Sequence, residues 1–315
     1  MEKLRIVFMG TPEFAVGILD TIIKNNYEVV GVITAADKPA GRGQKLKYSA
    51  VKEYALENNL RLLQPTNLKD ESFLEELKSL NANLQIVVAF RMLPKVVWEM
   101  PKLGTFNLHA SLLPNYRGAA PINWAIINGE TKTGVTTFFI DDKIDTGAMI
   151  LSSETDIDPN ENAGQLHDRL MNLGSTTVVK TLAMIEKGNI NTIIQKEDAD
   201  IKTAYKLNKE NCKIDWTKSA LEINNLIRGL SPYPAAWSMF SDKNEEWNVK
   251  IYESKIIIEN HAHEVGSIIC SKKEIKIAVK NGFIQISSLQ FPGKKRMTAS
   301  ELLNGISFSE AAKAF

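Results

Sequence analysis

Two short segments of this 315-residue chain carry residue types that can do chemistry. The first, Asn107–Arg117, reads Asn-Leu-His-Ala-Ser-Leu-Leu-Pro-Asn-Tyr-Arg, and the second, Asp141–Gly147, reads Asp-Asp-Lys-Ile-Asp-Thr-Gly. Because side chains two apart on a strand point to the same side, Asn107 and His109 can face one pocket. An amide can donate to a developing oxyanion, an imidazole can move a proton near pH 7, and Asp145 can orient that imidazole. The two segments therefore predict a site for acyl transfer.

The elements that must position this site are predicted by apolar runs that alternate with amphipathic stretches in the first half of the chain. The predicted strands are Leu4–Met9, Val29–Thr34, Leu84–Phe90, Thr105–His109 and Gly134–Ile140. Helices are predicted after Thr11 and Pro12, and over Ser49–Asn58, Glu71–Leu80 and Ala163–Lys187. This alternation predicts an α/β fold with a doubly wound, mostly parallel, Rossmann-like sheet. Ligands bind beyond the carboxyl ends of strands in such sheets, and Asn107 and His109 fall at such an end.

The sequence pattern changes in the last third of the chain. Residues 190–208 are polar and lack a clear period, which predicts a linker between residues 1–189 and 209–315. A short helix over Ser219–Leu230 precedes five predicted strands, Ala235–Phe240, Trp247–Ile258, Val265–Cys270, Glu274–Val279 and Phe283–Phe291. Thr298-Ala-Ser-Glu301 matches a capping box that begins a last short helix. Five short strands with few helices predict a small antiparallel β-barrel of the oligonucleotide-binding type.

Composition narrows the class of protein. The net charge of +1 excludes a strongly basic chain, although it allows a local basic face. Cys212 and Cys270 form neither a metal spacing nor a disulfide framework, which is typical of a reducing compartment. No run approaches the roughly 18 apolar residues that a membrane span needs. We therefore expect a soluble, cytoplasmic protein that does not engage a membrane.

Several motifs together carry a family resemblance. Asn107-Leu-His-Ala-Ser-Leu-Leu-Pro114 followed by Asp145-Thr-Gly147 resembles the folate-dependent formyltransferases, and the resemblance covers essentially the whole chain. Supporting segments are Phe8–Phe14, Asp37–Gly43, Tyr116–Pro121 and Ile214–Trp216. The glycine-rich basic loop and the long C-terminal part resemble the members of this family that act on a charged tRNA.

The resemblance implies a donor, an acceptor and a catalytic trio. The implied donor is 10-formyltetrahydrofolate, and the acceptor is the α-amino group of methionine esterified to initiator tRNA. The product would be formylmethionyl-tRNA for translation initiation. Asn107 and His109 are expected to stabilise the oxyanion, while His109 and Asp145 relay protons, directly or through water. Residues 1–189 then form the catalytic domain, and residues 209–315 bind the tRNA.

The resemblance also implies binding residues for both substrates. The folate is expected to contact the loop after the third strand, the turn after His109 and the acidic loop, at Phe90, Arg91, Met92, Leu93, Ser111, Leu112, Leu113, Pro114, Asp141 and Asp142. The run Arg91-Met-Leu resembles the purine-pathway members of the family more than the tRNA-dependent ones. The loop that contains it is one residue shorter than in the tRNA-dependent members. The tRNA backbone is expected to contact the glycine-rich loop through Lys38, Arg42, Lys45 and Lys47.

The sequence alone leaves several alternative functions open. The nearest alternative is a sugar-nucleotide formyltransferase, which shares the catalytic motifs. Two features argue against it: the basic loop around Arg42, and Ala119, where the sugar enzymes have a more basic residue. A hydrolase that releases formate and an inactive tRNA-binding protein are further alternatives. Gly10-Thr-Pro-Glu lacks the spacing of a dinucleotide fingerprint, and His261-Ala-His lacks companion ligands, so we expect neither a nicotinamide cofactor nor a metal. We expect a monomer.

Overall fold

The structure is a computed structural model that describes residues 3–40, 45–196 and 200–315. The chain divides into two compact units. The N-terminal unit comprises Met1–Pro121, Thr133–Thr155 and His167–Thr203, and the C-terminal unit comprises Ile122–Lys132, Asp156–Leu166 and Ala204–Phe315. Each unit therefore takes in segments that are distant in the sequence. The contiguous domains at 1–189 and 209–315, with a linker at 190–208, stay a prediction.

The described residues form eight helices and eighteen strands, which are numbered in chain order. The helices are α1 Glu13–Lys24, α2 Ala50–Glu57, α3 Glu71–Ser79, α4 Lys95–Trp98, α5 Pro121–Ile127, α6 Ala163–Glu186, α7 Ala220–Leu230 and α8 Ala299–Leu303. The strands are β1 Arg5–Gly10, β2 Glu28–Ile33, β3 Lys38–Ala40, β4 Lys45–Lys47, β5 Leu62–Leu63, β6 Leu84–Val88, β7 Thr105–His109, β8 Arg117–Gly118, β9 Lys132–Phe139, β10 Met149–Asp156, β11 Thr203–Ala204, β12 Ala236–Asp242, β13 Glu245–Ile258, β14 Ile268–Cys270, β15 Ile275–Val279, β16 Gly282–Gln290, β17 Met297–Thr298 and β18 Lys313–Ala314.

The large sheet of the N-terminal unit has the strand order β10-β9-β7-β6-β1-β2-β5. The strands from β7 to β5 are mutually parallel, and β1 and β6 are apolar almost throughout because both faces of a parallel sheet are covered. The predicted mostly parallel α/β fold is therefore confirmed. The register pairs Gly10 with Val88 and Val88 with Leu108, so the carboxyl ends of β1, β6 and β7 are level, and His109 is the last residue of β7.

Helices cover both faces of this sheet. On one face α3 and α4 pack in a core cluster that includes Val87 of β6. On the other face α6 approaches so closely that a Cβ at Gly174 would lie 2.8 Å from the side chain of Leu108. Val87 pairs with Asn107, and paired residues of neighbouring strands point to the same face. Asn107 and His109 therefore face the side of α3 and α4, while Leu108 faces α6.

Polar side chains set the helix starts that the sequence predicts. Ser49 accepts a hydrogen bond from Lys52 N at the start of α2, and Asp70 accepts one from Phe73 N at the start of α3. Each bond satisfies a backbone donor that the first turn of a helix leaves unpaired. The helix α1 starts after Pro12 without a side-chain cap. The three helices predicted in the first half of the chain and the later one over Ala163–Lys187 are all present.

The strands β9 and β10 form an antiparallel edge of the sheet, which the alternation of strands and helices did not predict. β9 runs antiparallel to β7, with Phe106 paired to Phe139, and it continues into β10 through a hairpin loop. β10 was not predicted, because only its first residues are apolar and its later ones alternate between half-buried and exposed. Such an antiparallel edge strand on a mostly parallel sheet needs only one apolar face. Asp145 therefore reaches the site from a hairpin loop and not from the end of a parallel strand.

The C-terminal unit is an antiparallel barrel that is nearly closed. Its sheet has the order β14-β15-β16-β13-β12-β18, and a bridge between Ser267 and Lys313 brings β18 back beside the start of β14. The five predicted strands and the helix α7 are all present. The capping box of Thr298 and Glu301 begins α8 as predicted. Since closure leaves few unpaired strand edges, this small sheet can bury a core of its own.

Candidate active site

The turn that follows β7 is fixed to the neighbouring strand β9. Thr136 Oγ1 donates a hydrogen bond to Ser111 O (2.8 Å) and accepts one from Leu113 N (3.2 Å). Ser111 and Leu113 are buried, whereas Leu112 and Pro114 are half-buried. Of the four residues predicted to contact folate from this turn, Ser111 and Leu113 thus lie in the protein interior. Their packing fixes where β7 ends.

His109 is buried, and one of its ring nitrogens is engaged by the backbone. Nε2 lies 2.7 Å from Tyr116 O. A carbonyl oxygen can only accept a hydrogen bond, so Nε2 carries a proton and donates it. Nδ1 lies 3.7 Å from Asp145 Oδ2, which is within ion-pair distance but beyond a direct hydrogen bond. Nδ1 is therefore the ring atom that can take up and release a proton.

Asn107 lies two residues before His109, on the same face of β7. It is half-buried, and its neighbours in the register are Val87 of β6 and Phe138 of β9. The more exposed of the two side chains is thus the amide, and the buried one is the imidazole, next to Asp145. The three predicted catalytic residues thus lie in the order Asn107, His109, Asp145. This order suits a hydrogen-bond donor, a proton carrier and an anion, respectively.

The carboxylate of Asp145 is held by a backbone donor. Gly118 N donates to Asp145 Oδ2 at 2.9 Å. Earlier in the same loop, Asp141 Oδ1 accepts from Lys143 N at 3.0 Å and from Thr146 Oγ1 at 2.7 Å. These bonds give the loop a defined shape, which positions Asp145 against the histidine. Asp142 is exposed.

Gly147 allows the two arms of the β9–β10 hairpin to approach each other behind Asp145. A Cβ at this position would lie 1.7 Å from Phe139 O, a distance that no side chain can occupy. The glycine of the Asp-Thr-Gly motif is therefore required by packing, and the aspartate before it is positioned as a consequence.

Three residues around the site have a left-handed backbone conformation although none is glycine. Their φ angles are +47° at Ala89, +61° at Tyr116 and +56° at Asp145. Residues held in such regions cost about 1–3 kcal/mol each, and they cluster where the surrounding structure must aim a group. Here they lie at the end of β6, at the carbonyl that binds His109, and at the carboxylate that faces it.

Gln195 connects the Asp145 loop with Arg117, a role that no sequence pattern indicated. Its Nε2 donates to Asp145 O (2.9 Å) and to Gly147 O (2.8 Å), while its Oε1 accepts from Arg117 Nε (3.0 Å) and Nη2 (2.7 Å). The side chain is 6% exposed. It lies in the segment interpreted as a polar linker, where a single buried polar residue cannot be told from exposed ones. Gln195 therefore ties the Asp145 loop to the strand β8.

We expect Gln195→Leu to lower both stability and the rate of the reaction. The substitution leaves the two loop carbonyls and Arg117 without these partners, which corresponds to about 1–3 kcal/mol in the free energy of unfolding. Gln195→Glu keeps an acceptor for Arg117 but turns an acceptor oxygen toward the two carbonyls that Nε2 now binds, so it should also lose stability and rate. Thermal unfolding and kcat of both variants check this. Wild-type kcat in a destabilised Gln195→Leu would show that Gln195 has a structural role only.

The four residues Phe90–Leu93, which are predicted to contact the folate pterin, differ from one another in burial. Leu93 is buried in the core cluster, and Phe90 packs against that cluster. Arg91 is exposed and donates through Nη1 to Thr66 O at 2.9 Å, so it anchors the loop from outside. Met92 is 67% exposed, which leaves a large apolar side chain uncovered beyond the end of β6. Of these four residues, Met92 has the surface that an apolar ring could cover.

The basic loop predicted to contact tRNA is partly described. Backbone pairing of Lys38 with Lys47 and of Ala40 with Lys45 makes β3 and β4 an antiparallel hairpin. Lys47 is exposed, and Arg42 lies outside the described residues. Near the base of the hairpin, an ion pair with Lys52 lowers the pKa of Asp37, with a further hydrogen bond from Gln64.

Two other findings concern the parts of the chain that the structure describes. In residues 3–40, 45–196 and 200–315, no three His, Cys, Asp or Glu side chains are grouped so that they could hold a metal ion. Among the helices in those same ranges, none is long and apolar enough to span a membrane.

Comparison with known proteins gives consistent matches for both parts of the chain. The family model "Formyl transferase" matches residues 4–182, and "Formyl transferase, C-terminal domain" matches residues 206–307. The chain is 82% identical to the methionyl-tRNA formyltransferase of Flavobacterium johnsoniae over 100% of both chains. It is 53% identical to that of Bacteroides thetaiotaomicron, covering 99% of this chain and 98% of the relative.

A solved structure is similar at lower identity. It is the crystal structure of a sugar 3N-formyl transferase in the presence of dTDP and 5-N-formyl-THF. It superposes with a TM-score of 0.64 at 25% identity, covering 94% of this chain and 100% of that one. The fold is thus shared with an enzyme of a different acceptor, while the high identities are to enzymes named for the tRNA. The chain belongs to the formyl transferase family and, within it, to the methionyl-tRNA formyltransferases.

Proposed function

We propose that this enzyme transfers the formyl group of 10-formyltetrahydrofolate to the α-amino group of methionyl initiator tRNA. The observation that carries the chemistry is the state of His109, whose Nε2 is bound to Tyr116 O while Nδ1 faces Asp145. The observation that carries the substrate is the similarity to named methionyl-tRNA formyltransferases over the full length. The product is formylmethionyl-tRNA, which is used in translation initiation.

The first step forms a bond between the amine nitrogen and the formyl carbon. The amine must be neutral to attack, and a free α-amino group with a pKa of roughly 7.7–8.0 is partly neutral at physiological pH. As the bond forms, the formyl oxygen becomes an oxyanion. The amide of Asn107, half-buried on β7, is the group that we assign to donate to this oxyanion.

The second step moves protons. The tetrahedral intermediate collapses when the bond between the formyl carbon and N10 of the folate breaks, and N10 must receive a proton that the amine has lost. We assign this transfer to His109 Nδ1, because Nε2 is held by a carbonyl. Asp145 stabilises the imidazolium that forms in between, since its Oδ2 lies 3.7 Å from Nδ1.

The donor substrate needs an apolar slot with a few polar groups beside it. We propose that the folate contacts Phe90–Leu93, the turn Ser111–Pro114, and the acidic residues Asp141 and Asp142. Met92 and Ile144 support this placement, because they are 67% and 62% exposed on two loops of this unit. Ser111 and Leu113 then act by shaping the turn, whereas Leu112 and Pro114 have surface left to contact a ligand.

The tRNA is the larger substrate, and we propose two elements that bind it. One is the basic segment 38–47 with Lys38, Arg42, Lys45 and Lys47, and the other is the C-terminal barrel. Supporting this division, a separate family model describes the C-terminal domain. We further propose that the enzyme works as a cytoplasmic monomer, which suits its free cysteines Cys212 and Cys270.

Arg42→Ala tests the role of this basic segment. An arginine that contacts a phosphate is worth about 1.5–3 kcal/mol, so we expect KM for charged tRNA to rise about 10- to 100-fold. The KM for the folate donor should not change. Arg61→Ala is the matched control, because Arg61 is an exposed arginine of the same unit whose partner is Glu76. A raised KM for folate with an unchanged KM for tRNA would reject the assignment.

Transfer of labelled formyl from 10-formyltetrahydrofolate tests the function as a whole. The enzyme is offered charged initiator tRNA, a charged elongator tRNA and a 4-amino-sugar nucleotide in parallel. We expect rapid transfer to the initiator tRNA alone. Transfer to the sugar would instead favour the second candidate, a sugar-nucleotide formyltransferase, which the similarity to a solved sugar enzyme keeps in consideration. Formate released without an acceptor would indicate a hydrolase.

A further inference from the structure

A cleft of about 330 Å³ opens on the surface of the C-terminal barrel. Its floor is the outer side of β12 and β13, where Trp237 lies directly opposite Lys250 in the strand register. The segment that precedes α7 forms its wall, with Leu207, Asn208, Lys209 and Cys212. We call it the Trp237 cleft. Its volume is in the range of small-ligand sites, so it can take one group of about the size of a nucleotide.

The aromatic ring on the floor is fixed by hydrogen bonds within this unit. Trp237 Nε1 donates to Lys209 O at 2.8 Å. The backbone of the same residue donates to Cys212 O at 3.0 Å and accepts from Ile214 N at 2.8 Å. Floor and wall are thus tied together, and the orientation of the indole is set before any ligand binds. A site that is already ordered loses less entropy when a ligand arrives.

Cations surround this ring. Lys209 Nζ lies 5.3 Å and Lys213 Nζ 5.7 Å from the centroid of the Trp237 ring. The two charged residues that line the cleft, Lys209 and Lys250, are both positive and exposed. Within the described part of the chain, the side chains of Lys209 and Lys213 contact aromatic rings, including Phe315 for Lys213 at 5.9 Å. These cations are therefore available to an anionic ligand.

A flat ring beside exposed lysines is the combination that binds single-stranded nucleic acid. Every base has a face that can stack on an aromatic side chain, while lysines neutralise the adjacent phosphates. We infer that the Trp237 cleft binds one unpaired nucleotide, with its base stacked on Trp237 and its phosphate held by Lys209 and Lys250. Lys209 and Lys213, which now lie over the ring, move aside as the base takes their place, and Lys209 turns to the phosphate. We take this nucleotide to be an unpaired position of the tRNA, an assignment that rests on the proposed function. A free nucleotide has the same chemistry and is the other source to be tested.

The experiment uses the full-length enzyme and five variants. Trp237→Leu removes the ring, Trp237→Phe keeps an aromatic ring, and Lys209→Ala and Lys250→Ala each remove one cation. Lys280→Ala is the matched control, since Lys280 is an exposed lysine of the same unit outside the cleft. Each protein is titrated with uncharged initiator tRNA over a series of salt concentrations. Each is also titrated with AMP and UMP, with binding followed by isothermal titration calorimetry.

For the tRNA, we expect Trp237→Leu to weaken binding about 5- to 100-fold, and Trp237→Phe to recover most of this loss. Lys209→Ala and Lys250→Ala should each lower the magnitude of the salt slope by about 0.7, the value for one phosphate of a single strand. Lys280→Ala should bind as the wild type does. If Trp237→Leu does not fold, the two lysine variants and Trp237→Phe still decide the question.

The two titrations separate the sources of the nucleotide. Loss of tRNA affinity with weak mononucleotide binding assigns the cleft to the tRNA. Trp237-dependent binding of AMP or UMP without any effect on tRNA assigns it to a free nucleotide. Wild-type affinity for all three ligands in Trp237→Leu overturns the inference. Formyl transfer by the wild-type enzyme to charged initiator tRNA is measured alongside, so that a failure of the proposed function is recognised independently of the cleft.

Discussion

Asn107→Ala is expected to leave the enzyme folded and to lower kcat for formyl transfer about 100- to 1000-fold, the usual cost of losing one oxyanion donor. Asn107 is half-buried, whereas the other residues of β7 are buried, so its truncation removes less packing than truncation of a neighbouring residue would. The effect should appear in kcat, because the donor is needed once the formyl oxygen becomes negative and not when the folate binds. Single-turnover rates with saturating tRNA and folate measure it.

Two further variants make this result specific. Asn107→Asp has nearly the same shape but brings a carboxylate, which accepts and cannot donate when ionised, so it should lose at least as much. Asn25→Ala removes an exposed amide at the end of α1 and should behave as the wild type. Thermal unfolding confirms that each variant is folded. Near-wild-type turnover in folded Asn107→Ala would refute the role of this amide.

The second large effect is expected at Asp145. Asp145→Asn keeps the size of the side chain, keeps an acceptor for Gly118 N and tolerates the φ of +56°, since asparagine is among the residues that adopt this conformation. It removes only the negative charge that faces His109 Nδ1. We expect a loss of about 100- to 10,000-fold in rate, as for a general acid–base group, with stability close to that of the wild type.

Asp145→Ala separates charge from structure at the same position. It loses the bond to Gly118 as well as the charge, and alanine is less favourable at positive φ, so it should lose stability in addition to rate. His109→Ala should lose at least ~100-fold in rate through the same step. If Asp145→Asn retained wild-type turnover, the carboxylate would be a turn residue and the proton transfer would have to involve another group.

Much of the fold follows from sequence patterns because local physics decides it. The strands β1 and β6 are apolar almost throughout, so both of their faces must be covered, which predicts a parallel sheet. The capping residues Ser49 and Thr298 satisfy backbone donors within one turn, so they mark helix starts wherever the helix packs. In contrast, the pairing of β9 against β7 and the half-exposed β10 depend on neighbours far away in the chain, which no local pattern reports.

The candidate site divides in the same way. By itself the sequence determined which residue types come together: the alternation of Asn107 and His109 places both on one face of a strand, and the Asp-Thr-Gly motif supplies a carboxylate. Only the tertiary structure decided the tautomer of His109, through the carbonyl of Tyr116. It also assigned Gln195 as the residue that ties the Asp145 loop in place. Hydrogen bonds between residues that are tens of positions apart form only where the tertiary fold brings these residues together. The identity of the side chains alone does not specify where this happens.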